Sequence, residues 1–265
     1  MKKIFNKLKY RFLSIIFNRS KNRKNKYDFE IKLESINKSE FNRNYLYKYF
    51  HHYFWNLSPV WLKEHRTYFS KKQRAFGEDA FHAMWYFIFK EFKPKKVLEI
   101  GVYRGSTLSL FSLLSQKFNL NTEVHGISPF SPAGDSVSKY LAELDYYEDV
   151  NKNFSFFNLP TQILHKGFST DEAMIEVIKA NDWDLIFIDG NHDYEVVKQD
   201  FAICSKQLNT GGLIVFDDAS LYTDYKPPFY SSAGHPGPSK VAIEIDLNIF
   251  EEILSVGHNR IFKKL

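Results

Sequence analysis

Three short stretches of this chain place glycines and carboxylates where a ligand would need them. The first runs from Val97 through Glu99-x-Gly101-x-x-x-Gly105 to Ser106: an apolar run with an acid near its end, two glycines, then a helix start. The second is an apolar run closing on Asp189, with His192 three residues later, and the third closes on Asp217-Asp218. Gly101 and Gly105 would let the backbone approach a nucleotide-like ligand, and the helix start after Gly105 would present unpaired N–H groups to it. A dinucleotide turn would need Gly-x-Gly-x-x-Gly, and Tyr103 stands where its middle glycine should be. In open α/β sheets ligands bind outside the carboxyl ends of the strands, so the three loops should meet at one site.

The elements that would hold these loops alternate along the chain. Strands are expected at 96–100, 123–127, 162–166, 184–188 and 213–216, with helices at 106–117, near 136–149, at 170–180 and at 194–208. Near-continuous Val, Ile, Leu and Phe in the fourth and fifth strands argues for a parallel sheet covered on both faces. Residues 250–256 and 260–264, joined by Gly257-His258-Asn259, read as a closing β-hairpin. The expected fold is therefore α/β: a doubly wound, mostly parallel sheet of seven strands, ending in an antiparallel hairpin. Residues 222–239, rich in Pro, Gly and Tyr, read as a long loop or lid. Ahead of the sheet, 39–92 is helical and aromatic, and Pro94 closes its last helix. His51, His52 and His82 lie in that segment without the paired spacing of metal ligands and are read as packed core residues.

Composition narrows the class. At 265 residues, with 44% hydrophobic and 25% charged residues, the chain can bury a full core. Ten of its 36 Lys and Arg fall within 1–27, where there is no acid, so the remainder carries 26 bases against 31 acids. A folded part that is mildly acidic does not suit nucleic acid. The single Cys204 excludes an internal disulfide framework and fits a reducing, cytoplasmic setting, as a small buried residue on a helix. Within 1–26, Ile4, Phe5, Leu8, Phe12, Ile15 and Ile16 share one helical face, with lysines and Arg11 mostly opposite. Such a segment lies on an anionic membrane surface, at the inner face of the membrane, or is a solvated basic tail. The division expected is 1–38 as basic tail and linker, 39–92 as helical cap, and 93–265 as the ligand-binding domain.

Glu99-x-Gly101-x-x-x-Gly105 after the first strand resembles the S-adenosylmethionine turn of class I methyltransferases. The Asp189-Gly-Asn-His192 and Asp217-Asp218 segments resemble the branch that holds macrocin-type and rhamnosyl O-methyltransferases and a cephalosporin hydroxylase-like group. The resemblance covers roughly residue 77 onward. It implies the Rossmann-like class I fold, with the cofactor on Glu99, Gly101, Tyr103, Gly105, Ser106, Thr107, Ser128, Phe168, Ser169 and Asp189. It also implies Mg²⁺ or another divalent cation on Asp189, Asp217 and Asp218, a hard cation that prefers oxygen ligands and keeps places open for substrate. His192 falls where relatives keep a general base, with Asp189 beside it as a catalytic acid; the bland alternative is a strand-end turn and a helix-start cap. One departure stands out. Strand two of the family closes on an acid that binds the ribose, whereas this chain has Ser128, with Asp135 in the next loop as the alternative acid. The implied activity is metal-dependent O-methylation of a small hydroxylated acceptor, a sugar of a surface glycan or natural product, by a monomer or homo-oligomer. The competing reading is a non-catalytic, membrane-associated binding protein that kept the fold.

Overall fold

The computed structural model describes residues 27, 29–32, 36, 42–134 and 140–265. The basic segment 1–26, most of the linker and Asp135 lie outside the described residues. Three helices come first: α1 (Arg43–Asn56), α2 (Val60–Phe69) and α3 (Asp79–Phe92). The sheet follows with β1 (Lys96–Ile100), α4 (Ser106–Phe118), β2 (Glu123–Ser128), α5 (Tyr146–Phe156), β3 (Ile163–Lys166), α6 (Glu172–Lys179), β4 (Trp183–Ile188), α7 (Tyr194–Gln207) and β5 (Leu208–Phe216). Helix α8 (Pro236–Ile243) and the strands β6 (Phe250–Val256) and β7 (Asn259–Lys264) close the chain.

Seven strands lie in the order β3-β2-β1-β4-β5-β7-β6. The first five are parallel, while β7 runs antiparallel to both β5 and β6. Alternate residues of each strand enter opposite layers, as a pleated strand requires. Val97, Leu185, Phe187, Leu213 and Val215 pack under α1, α3 and α4. Leu98, Ile186, Ile188, Ile214 and Phe216 pack under α6, α7 and α8. The aromatic helices before the sheet belong to the first layer: Trp85 of α3 meets Phe111 of α4 and Phe187 of β4 at ring distances of 4.7 and 5.0 Å. Among the described residues no helix is long and apolar enough to cross a membrane.

Two expectations need correction. The helix expected near 136–149 begins at Tyr146, where the Asp145 side chain accepts from the Glu148 amide at 2.9 Å and caps it. Tyr140, Leu141 and Leu144 have helix-like spacing, but they precede the cap. Leu141 is held in the loop by its backbone, which donates to and accepts from the Tyr146 hydroxyl. The loop expected through 239 gives way to α8 at Pro236, because proline is tolerated in the first turn of a helix, where its missing N–H leaves no bond unmade.

His51, His52 and His82 are buried, as is His65 of α2. His65 lies between His82 and the Ser109 hydroxyl, at 3.1 and 3.0 Å. Burial holds His65 down at about 3 and His82 well below the ordinary imidazole range. Both therefore stay neutral in the fold, while the unfolded chain takes up their protons below about pH 6.5. This pair alone withdraws stability on acidification, by about 1.4 kcal/mol per pH unit for each imidazole. Imidazole resonances followed by NMR from pH 8 to 5 should show both rings unmoved; titration of either near 6.5 would contradict the burial argument.

Candidate active site

Strand order reverses between β1 and β4, and the loops leaving β1, β4 and β5 open at that reversal. The ends of the strands are tied to one another. Gly101 N donates to Ile127 O at 2.9 Å, Asp189 N to Ile100 O at 2.9 Å, and Asp217 N to Ile188 O at 3.0 Å. Gly101 has φ +104°, and a Cβ there would lie 2.1 Å from the Asp189 carbonyl oxygen and 2.4 Å from Gly190 Cα. Its glycine is therefore required by the approach of two strand ends, rather than by the approach of a ligand that the motif first suggests. Gly105, with φ +73°, caps the start of α4 against Val150 and borders neither of the two cavities at this edge.

Two connected cavities follow this edge. One of about 660 Å³ is bounded by Glu99, Ser106, Thr107, Asp189, His192, Asp217 and Asp218. The other, of about 110 Å³, is bounded by Ser128, Phe168 and Ser169. Gly101, Tyr103, Tyr140 and Gly190 border both, so the expected cofactor residues apart from Gly105 are distributed along one groove. Tyr103 stands in the middle of it, its ring 4.9 Å from Phe76 and 5.5 Å from Tyr146. Ser128 is buried, and its hydroxyl lies 3.4 Å from the Phe130 amide. Glu99 is 3% exposed, and its Oε2 has no hydrogen-bond partner. Burial pushes its carboxyl up to about 8, against the lowering effect of a hydrogen bond from the Leu108 backbone.

The acids beyond it divide into two settings. Asp189 and Asp217 are hydrogen-bonded to each other, and burial together with the Asp217 charge raises the Asp189 pKa well above the carboxylate range. Burial opposes ionisation of Asp217 too, but His258 Nε2 at 3.2 Å outweighs it and keeps Asp217 low. Asn259 Nδ2 donates to the same oxygen at 2.9 Å. His258, despite burial, is raised to about 10 by Asp217, Asp218 and Glu78. Asp218 turns the other way: its Oδ2 lies 3.1 Å from His192 Nε2 and 3.7 Å from His235 Nε2. Among the described residues two groups offer three convergent metal-ligating atoms, His192/Asp218/His235 and Asp217/Asp218/His258, and Asp189 is in neither. His235, His258, Asn259 and Glu78 escaped the sequence reading. The turn at 257–259 was visible as a hairpin turn, but nothing local says that its histidine faces β5.

The model of a methyltransferase-domain family matches residues 98–219. Residues 98–219 are therefore similar to a methyltransferase domain. Solved structures agree on the fold. SAH-bound methyltransferase PaMTH1 of Podospora anserina superposes with a TM-score of 0.55 at 16% identity, over 78% of this chain and 89% of its own. An O-methyltransferase of Bacillus cereus in complex with SAH gives 0.54 at 13% identity, over 80% and 96%. A Staphylococcus aureus protein described as a caffeoyl-CoA O-methyltransferase gives 0.57 at 16%, over 82% and 98%. By sequence, an uncharacterized protein of Acanthamoeba polyphaga mimivirus is 34% identical over 152 residues, 56% of this chain. An uncharacterized protein of Sinorhizobium fredii is 25% identical over 129 residues, 49% of this chain. The chain spans 59% of the length of the first and 14% of the second. The matched stretch contains Glu99, Gly101, Asp189, His192, Asp217 and Asp218. It ends before His235 and His258, so later segments bring those two histidines to its edge.

Proposed function

We propose that this chain is an S-adenosylmethionine-dependent O-methyltransferase acting on a hydroxyl of a small molecule, a sugar being the acceptor class that the aromatic wall suits. One observation carries the reading. A single groove at the reversal of strand order has a buried carboxylate oxygen without a partner at Glu99 and an acid–imidazole cluster further along. The cofactor fits the first of these, since its amino group and sulfonium are cationic and Glu99 lacks a cation. Gly101, Tyr103, Ser106 and Thr107 would flank its methionine end, with Ser128, Phe168 and Ser169 around the nucleoside. A divalent cation would sit in the second, where Asp218 belongs to both groups of convergent ligand atoms and Asp217 to one, with Asp189 beside them rather than among them. The cofactor supplies an electrophilic methyl on sulfur, and a cation lowers the pKa of a hydroxyl beside it. The protein's own work is to hold the hydroxyl in line and to receive its proton within the cluster around Asp218, where His192 is the expected base. Phe76, Phe229 and Tyr230 border the same cavity and would pack on the flat faces of a sugar ring.

Methyl transfer from labelled S-adenosylmethionine to a panel of hydroxylated acceptors, nucleotide sugars included, tests the proposal with and without EDTA. Label on an acceptor oxygen, lost with EDTA, is the expected result. Label appearing only on nitrogen or carbon would contradict it. The Glu99 carboxyl, raised to about 8, is mostly protonated at pH 7 and must ionise to meet a cation. Binding at pH 7 should therefore release about one proton, read by calorimetry as heats that differ between phosphate and Tris. Glu99→Gln should bind more weakly and release none; equal heats in both buffers for the wild type would refute the assignment.

A further inference from the structure

His235 reaches the acid cluster by a route that requires close backbone contact. It precedes α8, and its amide donates to the Asp218 carbonyl at 2.8 Å, as does the Ser239 hydroxyl at 3.2 Å. A Cβ at Gly234 would lie 2.1 Å from that same carbonyl oxygen, and one at Gly237 would lie 2.1 Å from the His192 carbonyl oxygen. Glycine at both places is what lets the start of α8 press against Asp218 and His192 together. Asp218 itself sits at φ +52°, a left-handed conformation that costs a non-glycine residue energy and clusters at functional sites. The result is two imidazoles with ring centroids 4.2 Å apart, sharing one carboxylate oxygen and opening on the larger cavity.

We infer that His192, Asp218 and His235 form a metal centre of two imidazole nitrogens and one carboxylate oxygen, which takes a first-row transition cation such as Zn²⁺, Co²⁺ or Fe²⁺ in preference to Mg²⁺. The separations suit it. Ligand atoms on a cation with bonds of about 2.1 Å stand about 3.0 to 3.4 Å apart; from Asp218 Oδ2 the 3.1 Å to His192 lies within that range, and the 3.7 Å to His235 lies just beyond it, within reach of a small turn of the imidazole. Donor type decides the cation: imidazole suits transition metals, whereas Mg²⁺ favours oxygen and keeps its waters. The neighbouring group with His258 is spent differently. The two ring nitrogens of His258 face Asp217 Oδ1 at 3.2 Å and the Ser232 carbonyl at 3.2 Å. Both are oxygen acceptors, so both nitrogens carry protons and neither keeps a lone pair for a metal. The inference rests on the proposed function only for what the open positions receive, the acceptor hydroxyl. Within that reading it makes His192 a metal ligand rather than the base that receives the hydroxyl proton.

The test uses the full chain stripped with chelator and titrated with Co²⁺, whose visible bands report its ligands, with S-adenosylhomocysteine binding measured on the same samples. One Co²⁺ per chain should bind, be displaced by stoichiometric Zn²⁺, and survive a hundredfold excess of Mg²⁺. His235→Ala and His235→Asn should each weaken Co²⁺ at least about tenfold and alter its spectrum, with S-adenosylhomocysteine affinity unchanged as the sign of an intact fold. Co²⁺ displaced by equimolar Mg²⁺, or bound by both variants as by the wild type, would overturn the centre. If the variants fail to fold, the wild-type competition between Co²⁺ and Mg²⁺ decides. Metal binding without S-adenosylhomocysteine binding would instead sink the methyltransferase proposal and leave the centre standing.

Discussion

Replacing Asp218 with alanine is expected to lower methyl transfer by at least about 10³-fold while leaving S-adenosylmethionine affinity within a few-fold. Asp218 lies 3.1 Å from His192, 3.7 Å from His235 and 3.8 Å from His258, so its carboxylate is the common partner of all three imidazoles. Removing it frees the two that line the acceptor side and takes one negative charge from beside His258. The cofactor should be spared, because Glu99, Gly101, Ser106 and Thr107 come from β1, the loop behind it and α4, whereas Asp218 borders the same cavity from the end of β5. His192→Ala should cost about 10² to 10⁴-fold, the range for losing a group that works on the reacting proton or its metal. Steady-state kinetics beside calorimetric cofactor binding separates these effects. An Asp218→Ala enzyme as fast as the wild type, or one that has lost the cofactor, would contradict the division of the groove.

Gly101→Val is expected to act on folding before it acts on catalysis. The added Cβ would lie 2.1 Å from the Asp189 carbonyl oxygen, and φ +104° is closed to a β-branched side chain. Neither β1 nor β4 can retreat, since Asp189 N and Gly101 N are already bonded across the same strand ends. A loss of at least about 4 kcal/mol in denaturant unfolding is expected, among the largest that single substitutions produce. Gly105→Ala is the milder comparison, since its Cβ would meet only the Val150 side chain at 3.0 Å and carry the strain of φ +73°. A Gly101→Val protein as stable as the wild type, yet unable to bind cofactor, would restore the simpler view that the glycine clears space for the ligand.

Much of this was legible because the relevant signals are local. The runs ending at Ile100, Ile188 and Phe216 are apolar on both faces and stop at glycine or acid, so β1, β4 and β5 could be placed along with the carboxylates behind them. The hairpin of β6 and β7 followed from its glycine turn. Helix α5 was displaced because Tyr140, Leu141 and Leu144 imitate a helical face, while the Asp145 cap that decides the start looks like any other acid. Helix α8 was hidden because Pro-Gly-Pro reads as loop, and only the contacts of Gly234 and Gly237 show why the chain turns there. His235 and His258 were invisible for a different reason. Each lies far along the chain from Asp189 and reaches the site only through pairing and packing, the β5–β7 ladder for one and the start of α8 for the other.

The central claim is that the groove from Glu99 to Ser169 receives S-adenosylmethionine. Calorimetric titration of the full chain with S-adenosylmethionine and with S-adenosylhomocysteine tests it without knowledge of the acceptor. The account predicts one site per chain for each, mutually competitive, weakened in Glu99→Gln and preserved in Asp218→Ala. No binding of either compound by folded protein, or binding that Glu99→Gln leaves untouched and Asp218→Ala abolishes, would contradict it.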